Sequence, residues 1–149
     1  MICVELNEIL NPKKTILISS AKNRHELPVR YRFQKAIPIY KLFPGFMLLA
    51  GAKLLQPIVE TDRKKNKATF KSMLGSKKPI YMKRTVGLII NWDRKENIKS
   101  ICQIHGTNDH TLPIRKIKTP TYIVDKGSHL MTLTRAKEIT AILNTALEQ

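Results

Sequence analysis

The 149-residue sequence lacks several features that would identify common classes of protein. It contains no run of about 18 apolar residues, so no membrane span is expected, and no membrane partner is predicted. Its first ten residues carry Glu5 and Glu8 and no basic side chain, which argues against a secretory signal and predicts a cytoplasmic protein. Cys3 and Cys102 form no CxxC or Cys/His cluster, so we expect two reduced, buried thiols and neither a disulfide nor a metal site. No cofactor is expected.

Aromatic residues are also scarce, at 6% of the chain, and this weakens the nucleic-acid interpretation that a net charge of +16 invites. The charge is concentrated between Lys22 and Arg84, where 16 Lys and Arg face 3 acidic residues. The densest run, RKKNKATFKSMLGSKK (residues 63–78), has Phe70 as its only aromatic. Nucleic-acid sites usually combine basic charge with stacking aromatics or a known module, and no such module is present. A solvated basic surface is therefore predicted, with anion or nucleic-acid binding as an alternative.

The first half of the chain has enough apolar residues for a core and divides into three parts. Residues 1–10 have helical spacing, and Asn11-Pro12 ends the predicted helix. The run KKTILISSAK, residues 13–22, predicts a short strand that is buried on both faces. Residues 23–78 predict a helical insert, because prolines separate short apolar segments. Its aromatic residues are expected to pack in the core or within the insert; they are Tyr31, Phe33, Tyr40, Phe43 and Phe46.

The second half alternates between helical and strand-like patterns. Residues 80–94 predict a helix, ICQI (101–104) and TYIV (121–124) predict strands, and residues 132–149 predict a terminal amphipathic helix. Strands that are separated by helices favour a parallel sheet covered by helices. The predicted fold is therefore of the α/β class, as one domain over residues 1–149 with residues 23–78 inserted.

Polar residues follow the last two predicted strands. HGTNDHTLP, residues 105–113, comes after the first, and GSHL, residues 127–130, comes after the second. Because the carboxyl ends of parallel strands meet at one edge of a sheet, Asp109 and His129 are expected to lie close together. A carboxylate beside an imidazole holds one tautomer and stabilises the protonated ring. Alternatives are a simple turn at Asp109, an exposed or helix-capping His129, and a metal site with His105 and His110, for which no compact ligand spacing exists.

These residues resemble the α/β-hydrolase family. In that family an HGxxD run after the seventh strand supplies the acid of the catalytic triad, and a GxH after the eighth supplies the base. His105-Gly106-Thr107-Asn108-Asp109 and Gly127-Ser128-His129 match these motifs. Asn91-Trp92, the proline-broken insert of cap type and the strand TILISS fit the same scheme. The resemblance implies Asp109 as the acid and His129 as the base.

The family also requires a nucleophile in a G-x-S-x-G turn upstream of both motifs, and the 149 residues contain no such motif. In this alignment Met1 to Leu10 matches the helix that follows the turn, so the nucleophile is expected shortly before Met1. The chain alone, an incomplete α/β-hydrolase domain, is expected to be inactive. Ser19 and Ser20 keep the triad order but have no glycine beside them, and we interpret them as turn formers or caps.

The resemblance implies a serine hydrolase or esterase that acts on a small acyl substrate once a nucleophile is supplied. The alternatives are a non-catalytic protein and a basic anion- or nucleic-acid-binding protein. A sheet that lacks its other strands is also expected to expose an apolar edge, which favours self-association.

Overall fold

A computed structural model describes residues 1–97 and 99–148 of the chain. Within them, a parallel sheet of three strands is flanked by seven α-helices, with short 3-10 turns between them. In chain order the elements are α1 (Ile2–Leu10), β1 (Ile16–Ile18), α2 (Val29–Ala36), α3 (Gly45–Val59), α4 (Lys67–Gly75), α5 (Pro79–Asn91), β2 (Cys102–Gly106), β3 (Tyr122–Val124), α6 (Met131–Thr134) and α7 (Ala136–Glu148). The predicted α/β class, with parallel strands, flanking helices and a helical insert, is confirmed.

The strands lie in the order β1-β2-β3, and both neighbouring pairs are parallel. Ile18 pairs with Ile104, and Gly106 pairs with Val124, so the three strands end at the same edge of the sheet. Side chains alternate between the two faces of a strand, and each face therefore has its own core. The first cluster contains Val4, Leu17, Ala21, Leu27, Trp92 and Leu112, and the second contains Ile104, Val124, Met131 and Ile139.

Helix α1 is anchored through the carboxylate of Glu5. Its Oε1 accepts hydrogen bonds from Trp92 Nε1 at 2.8 Å and Arg94 Nε at 2.9 Å, and its Oε2 accepts one from Arg94 Nη2 at 2.6 Å. These bonds, chiefly those from Arg94, lower the pKa of Glu5 to about 2. The end of α5 and the start of the chain are thereby held together.

Two details of the predicted helices were wrong. Pro57 was expected to break a helix, but α3 continues through it to Val59. Pro57 has no N–H to donate to the carbonyl of Lys53, so α3 loses one hydrogen bond there, and the helix ends two residues later. The predicted terminal helix over residues 132–149 is divided at Arg135 into α6 and α7, and Gln149 lies outside the described residues.

Several side chains predicted to be buried are exposed. Tyr40 is buried, whereas Phe33, Phe43 and Phe46 are exposed, since α2 has no buried residue and Leu49 is the only buried residue of α3. Cys3 is exposed as well, since Val4 and Asn7 occupy the inward face of α1. Both cysteines are free thiols. Among the described residues, no helix has the length and apolar character needed to cross a membrane.

Candidate functional site

Asp109 is the centre of a tight turn that follows β2. Its Oδ1 accepts hydrogen bonds from the backbone N–H groups of Leu112 at 2.7 Å and Thr111 at 2.9 Å. The carboxylate is buried, and these amides satisfy one of its oxygens. Asp109 therefore is the turn residue that its sequence context suggests, but the turn leaves Oδ2 free for another partner.

That partner is His129. Its Nδ1 lies 2.8 Å from Asp109 Oδ2, and its side chain remains 27% exposed, whereas the Asp109 side chain is fully buried. An ionised carboxylate accepts a hydrogen bond from Nδ1–H, so the neutral ring carries its lone pair on Nε2. The structure thus brings together the two residues predicted from the sequence, in the arrangement of an orienting acid and a general base.

The loops that carry the pair are fastened to each other by hydrogen bonds. The N–H of Asn108 donates to the carbonyl of Gly127 at 3.0 Å, and the N–H of Lys126 donates to Thr107 Oγ1 at 2.6 Å. Gly106 permits this approach, because a Cβ at that position would lie 2.1 Å from the Gly127 carbonyl oxygen. The spacing between Asp109 and His129 therefore depends on a glycine at the end of β2.

The other two histidines of this region have separate environments. His105 is fully buried, with Nε2 2.8 Å from the Leu112 carbonyl oxygen and 3.5 Å from Asp109 Oδ2, and it supports the turn. His110 is exposed and contacts Asn108. Within residues 1–97 and 99–148, no three His, Cys, Asp or Glu side chains are grouped as a metal site would require.

His129 lines a cavity of about 470 Å³ at the carboxyl end of the sheet. Most of its wall is apolar and comes from α1, the insert and α5; these residues include Met1, Ile2, Leu27, Tyr31, Leu88 and Ile89. The polar lining comes from Ser19, Ser20, Thr85 and Thr111. His129 is the one titratable group other than tyrosine among the described lining side chains, so the cavity favours an uncharged ligand.

Ser19 has an unusual backbone at this cavity. It follows the last residue of β1 with a φ of 48°, in the left-handed region that non-glycine residues rarely adopt. Its hydroxyl is buried and has no hydrogen-bond partner, so it is not hydrogen-bonded to His129. Ser19 thus bends the chain at the end of β1 without a glycine beside it, in line with its interpretation as a turn former.

The insert reaches the site through three consecutive residues, Glu60, Thr61 and Asp62, which we name the strap. Glu60 Oε2 accepts a hydrogen bond at 3.3 Å from the N–H of Leu130, the residue that directly follows His129. Thr61 Oγ1 accepts one from Asn108 Nδ2 at 2.8 Å, and Asp62 pairs with Arg135 at 3.3 Å. The strap thus contacts both the loop that carries Asp109 and the loop that carries His129.

Glu60 is a second carboxylate beside the pair, and it is 4% exposed. Burial raises the pKa of Glu60, although the Leu130 amide and the nearby His129 favour its ionised form. Nothing in the local sequence indicates this position, because its partners are about 70 residues away along the chain. Sequence reasoning therefore missed the strap entirely.

The raised pKa of Glu60 predicts a specific dependence of stability on pH. The folded state holds the carboxyl proton of Glu60 more tightly than the unfolded chain does. The free energy of unfolding therefore falls as the pH rises from the pKa that Glu60 has in the unfolded chain through its pKa in the folded protein. Glutamine carries no charge at any pH, so Glu60→Gln should raise the Tm at neutral pH. It should not raise the Tm at a pH well below the pKa of Glu60 in the unfolded chain. Thermal unfolding at several pH values checks this, with the exposed Glu96→Gln as control. An equal effect of Glu60→Gln at acidic and neutral pH would contradict the assignment.

Comparison of the chain with protein-family models, curated proteins and solved structures found no significant match.

Proposed function

We propose that Asp109 and His129 are the acid and base of an α/β-hydrolase-type triad that acts on a small ester-like substrate. The observation that carries the proposal is the 2.8 Å contact between His129 Nδ1 and Asp109 Oδ2 at the ends of adjacent parallel strands. Support also comes from the amides that hold the carboxylate and from the cavity that His129 lines. The nucleophile is proposed to come from outside residues 1–149, which contain no G-x-S-x-G.

In this mechanism His129 moves a proton twice. As the nucleophilic hydroxyl attacks the acyl carbon, its proton passes to Nε2, and Asp109 stabilises the resulting imidazolium. When the bond between the acyl carbon and the leaving oxygen breaks, the same proton passes to the leaving alcohol. A water molecule then repeats both transfers and releases the acid, which restores the neutral histidine.

The cavity supports an uncharged acyl substrate. Its wall is mainly apolar, and of the described residues that line it none is a Lys, Arg, Asp or Glu. An anion would meet no Lys or Arg side chain among these residues, and a cation no Asp or Glu side chain, which disfavours a charged substrate in a mainly apolar site. A short aliphatic or aromatic ester is therefore the substrate class that fits best.

The source of the nucleophile is directly testable. We expect a fluorophosphonate probe to leave residues 1–149 unlabelled and to label a serine in the product of the complete coding sequence. Determining the codons upstream of Met1 and the intact mass of the native protein, against 17.1 kDa for these residues, shows where that serine lies. Residues 1–149 should stay unlabelled because the Ser19 hydroxyl is buried and makes no hydrogen bond to His129 that could activate it.

The competing result is labelling of residues 1–149 at Ser19. Its left-handed backbone at a strand end makes it the internal serine to test. Labelling that disappears in Ser19→Ala and persists in the matched Ser20→Ala would place the nucleophile inside the chain. It would also refute the proposal of an external serine. A complete product that neither reacts with the probe nor hydrolyses any ester would contradict the hydrolase itself and favour the non-catalytic alternative.

Two further expectations from the sequence stay predictions. Strands β1 and β3 form the edges of the sheet among the described residues, so self-association through an edge is proposed and is measurable by sedimentation. The free thiols of Cys3 and Cys102 fit a reducing compartment, in line with the proposed cytoplasmic location.

A further inference from the structure

The surface of the insert is more strongly cationic than its composition indicates. Between Lys22 and Arg84 the chain has three acidic residues, and each is either buried or paired with a basic side chain. Glu26 is 1% exposed and Glu60 is 4% exposed. Asp62 is paired with Lys65 at 3.1 Å and with Arg135 at 3.3 Å. Most of the lysines of this segment remain on the surface, and apart from Lys35 and Lys65 no ion pair is found for them among the described residues.

One part of this surface is a cleft beside the start of α5. It has a volume of about 380 Å³ and is lined by Ser76, Lys77, Lys78, Ile80, Tyr81 and Arg84. The ammonium group of Lys77 lies 5.1 Å from the centre of the Tyr81 ring. The cleft therefore combines three cations with one aromatic ring, and none of its described lining residues is acidic, which suits a phosphate or carboxylate group.

Exposed apolar side chains adjoin the cleft. The first residues of α3 and α5 touch, because a Cβ at Gly45 would lie 2.4 Å from the Pro79 carbonyl oxygen. Next to this contact, Phe46 is 62% exposed on α3 and Ile80 is 55% exposed on α5. The exposed residues Met47, Ala50, Leu54 and Ile58 continue an apolar face along α3 at helical spacing. An apolar face thus lies beside a cationic cleft.

We propose that this surface, formed by α3 and the start of α5, binds the surface of an anionic phospholipid membrane. A helix with an apolar face and neighbouring cations lies in the lipid interface, where burial of apolar area and attraction to anionic headgroups act together. The cleft is placed to receive a headgroup while Phe46 and Met47 enter the acyl boundary. The sequence predicts no membrane partner because it has no spanning segment, and the proposal departs from that prediction because this mode of binding needs no such segment.

A nucleic acid is the competing polyanion, and the exposed side chains argue against it. Phosphate binding would use the cations, but it would leave the aliphatic face of α3 in water. A lipid surface uses both features. The proposal does not depend on the catalytic role of His129, so the two are tested separately.

The test is flotation of the protein with vesicles of phosphatidylcholine, with and without phosphatidylserine. We expect binding only to the vesicles that contain phosphatidylserine, and weaker binding as salt rises. The triple variant Lys77→Ser/Lys78→Ser/Arg84→Ser should lower the partition coefficient roughly a hundredfold, since each cation near such a surface contributes about 1 kcal/mol. The control Lys95→Ser/Lys118→Ser/Lys137→Ser removes the same charge elsewhere and should change binding much less.

A second pair of variants tests the apolar contribution. Phe46→Ser/Met47→Ser should lower the partition coefficient by roughly tenfold or more, because both side chains leave water on binding. Ile9→Ser/Leu147→Ser alters two exposed apolar residues outside the insert and should have little effect. Circular dichroism confirms that each variant is folded, and His129→Ala should bind vesicles normally.

Three results would overturn the proposal. The first is equal loss of binding in the cleft variant and its charge-matched control, which would indicate a diffuse effect of net charge. The second is tight binding to an RNA or DNA duplex that Phe46→Ser/Met47→Ser leaves unchanged, together with weak vesicle binding. The third is a stable dimer without vesicles that the same variant dissociates, which would assign the apolar face to a second copy of the chain.

Discussion

His129→Ala should reduce ester hydrolysis by the product of the complete coding sequence about 10⁴-fold, and Asp109→Asn should cost about as much. The alanine variant removes the group that accepts the nucleophile's proton. The asparagine variant keeps the amide contacts at Oδ1 but presents an NH₂ group to His129 Nδ1 in place of a carboxylate oxygen. The proton then moves to Nε2, which can no longer act as a base. Turnover of a p-nitrophenyl ester measures both effects.

Matched controls lie in the same loops. His110 is an exposed histidine that contacts Asn108, and Asp125 is an exposed aspartate near the end of β3. His110→Ala and Asp125→Asn should each change turnover only slightly. Equal turnover by His129→Ala and His110→Ala would show that His129 is not the base, whatever the effect of Asp109→Asn.

Gly106→Ala should destabilise the fold by about 3 kcal/mol or more and separate Asp109 from His129. The added Cβ would overlap the Gly127 carbonyl group, whose atoms lie 2.1 Å and 2.5 Å from its position. These are backbone atoms, so no side-chain rotation relieves the clash. The Gly127–His129 loop must move away from β2, which breaks the bond from the Asn108 amide to the Gly127 carbonyl and lengthens the contact between His129 and Asp109.

Denaturant unfolding measures the loss of stability, and the low-field Nδ1–H resonance of His129 in proton NMR reports the contact itself. Gly51→Ala is the control, because nothing lies within 4 Å of a Cβ at that position in α3. Alanine is favoured over glycine inside a helix by about 1 kcal/mol, so this variant should be neutral or slightly more stable. If Gly106→Ala is as stable as Gly51→Ala, the loop after β2 and the loop after β3 can move apart at no cost, and the prediction is wrong.

The sequence was most informative where a pattern is local. The apolar runs ICQI and TYIV predict strands, and the residues directly after a strand are carried to the end of the sheet with it. That rule was sufficient to expect Asp109 near His129, and the structure brings them to 2.8 Å. Boundaries were less predictable: α3 runs through Pro57 and the last helix divides at Arg135, since tertiary packing decides where a helix ends.

The α/β class, the residue types at the strand ends and the concentration of basic residues between Lys22 and Arg84 follow from the amino-acid sequence alone. Long-range packing places Glu60 beside His129, buries Glu26 and Glu60, and leaves Phe46 exposed near a cationic cleft. The physical reason is separation along the chain. Periodicity and turn chemistry act over a few residues, whereas burial and pairing depend on contacts between segments that are often more than 60 residues apart.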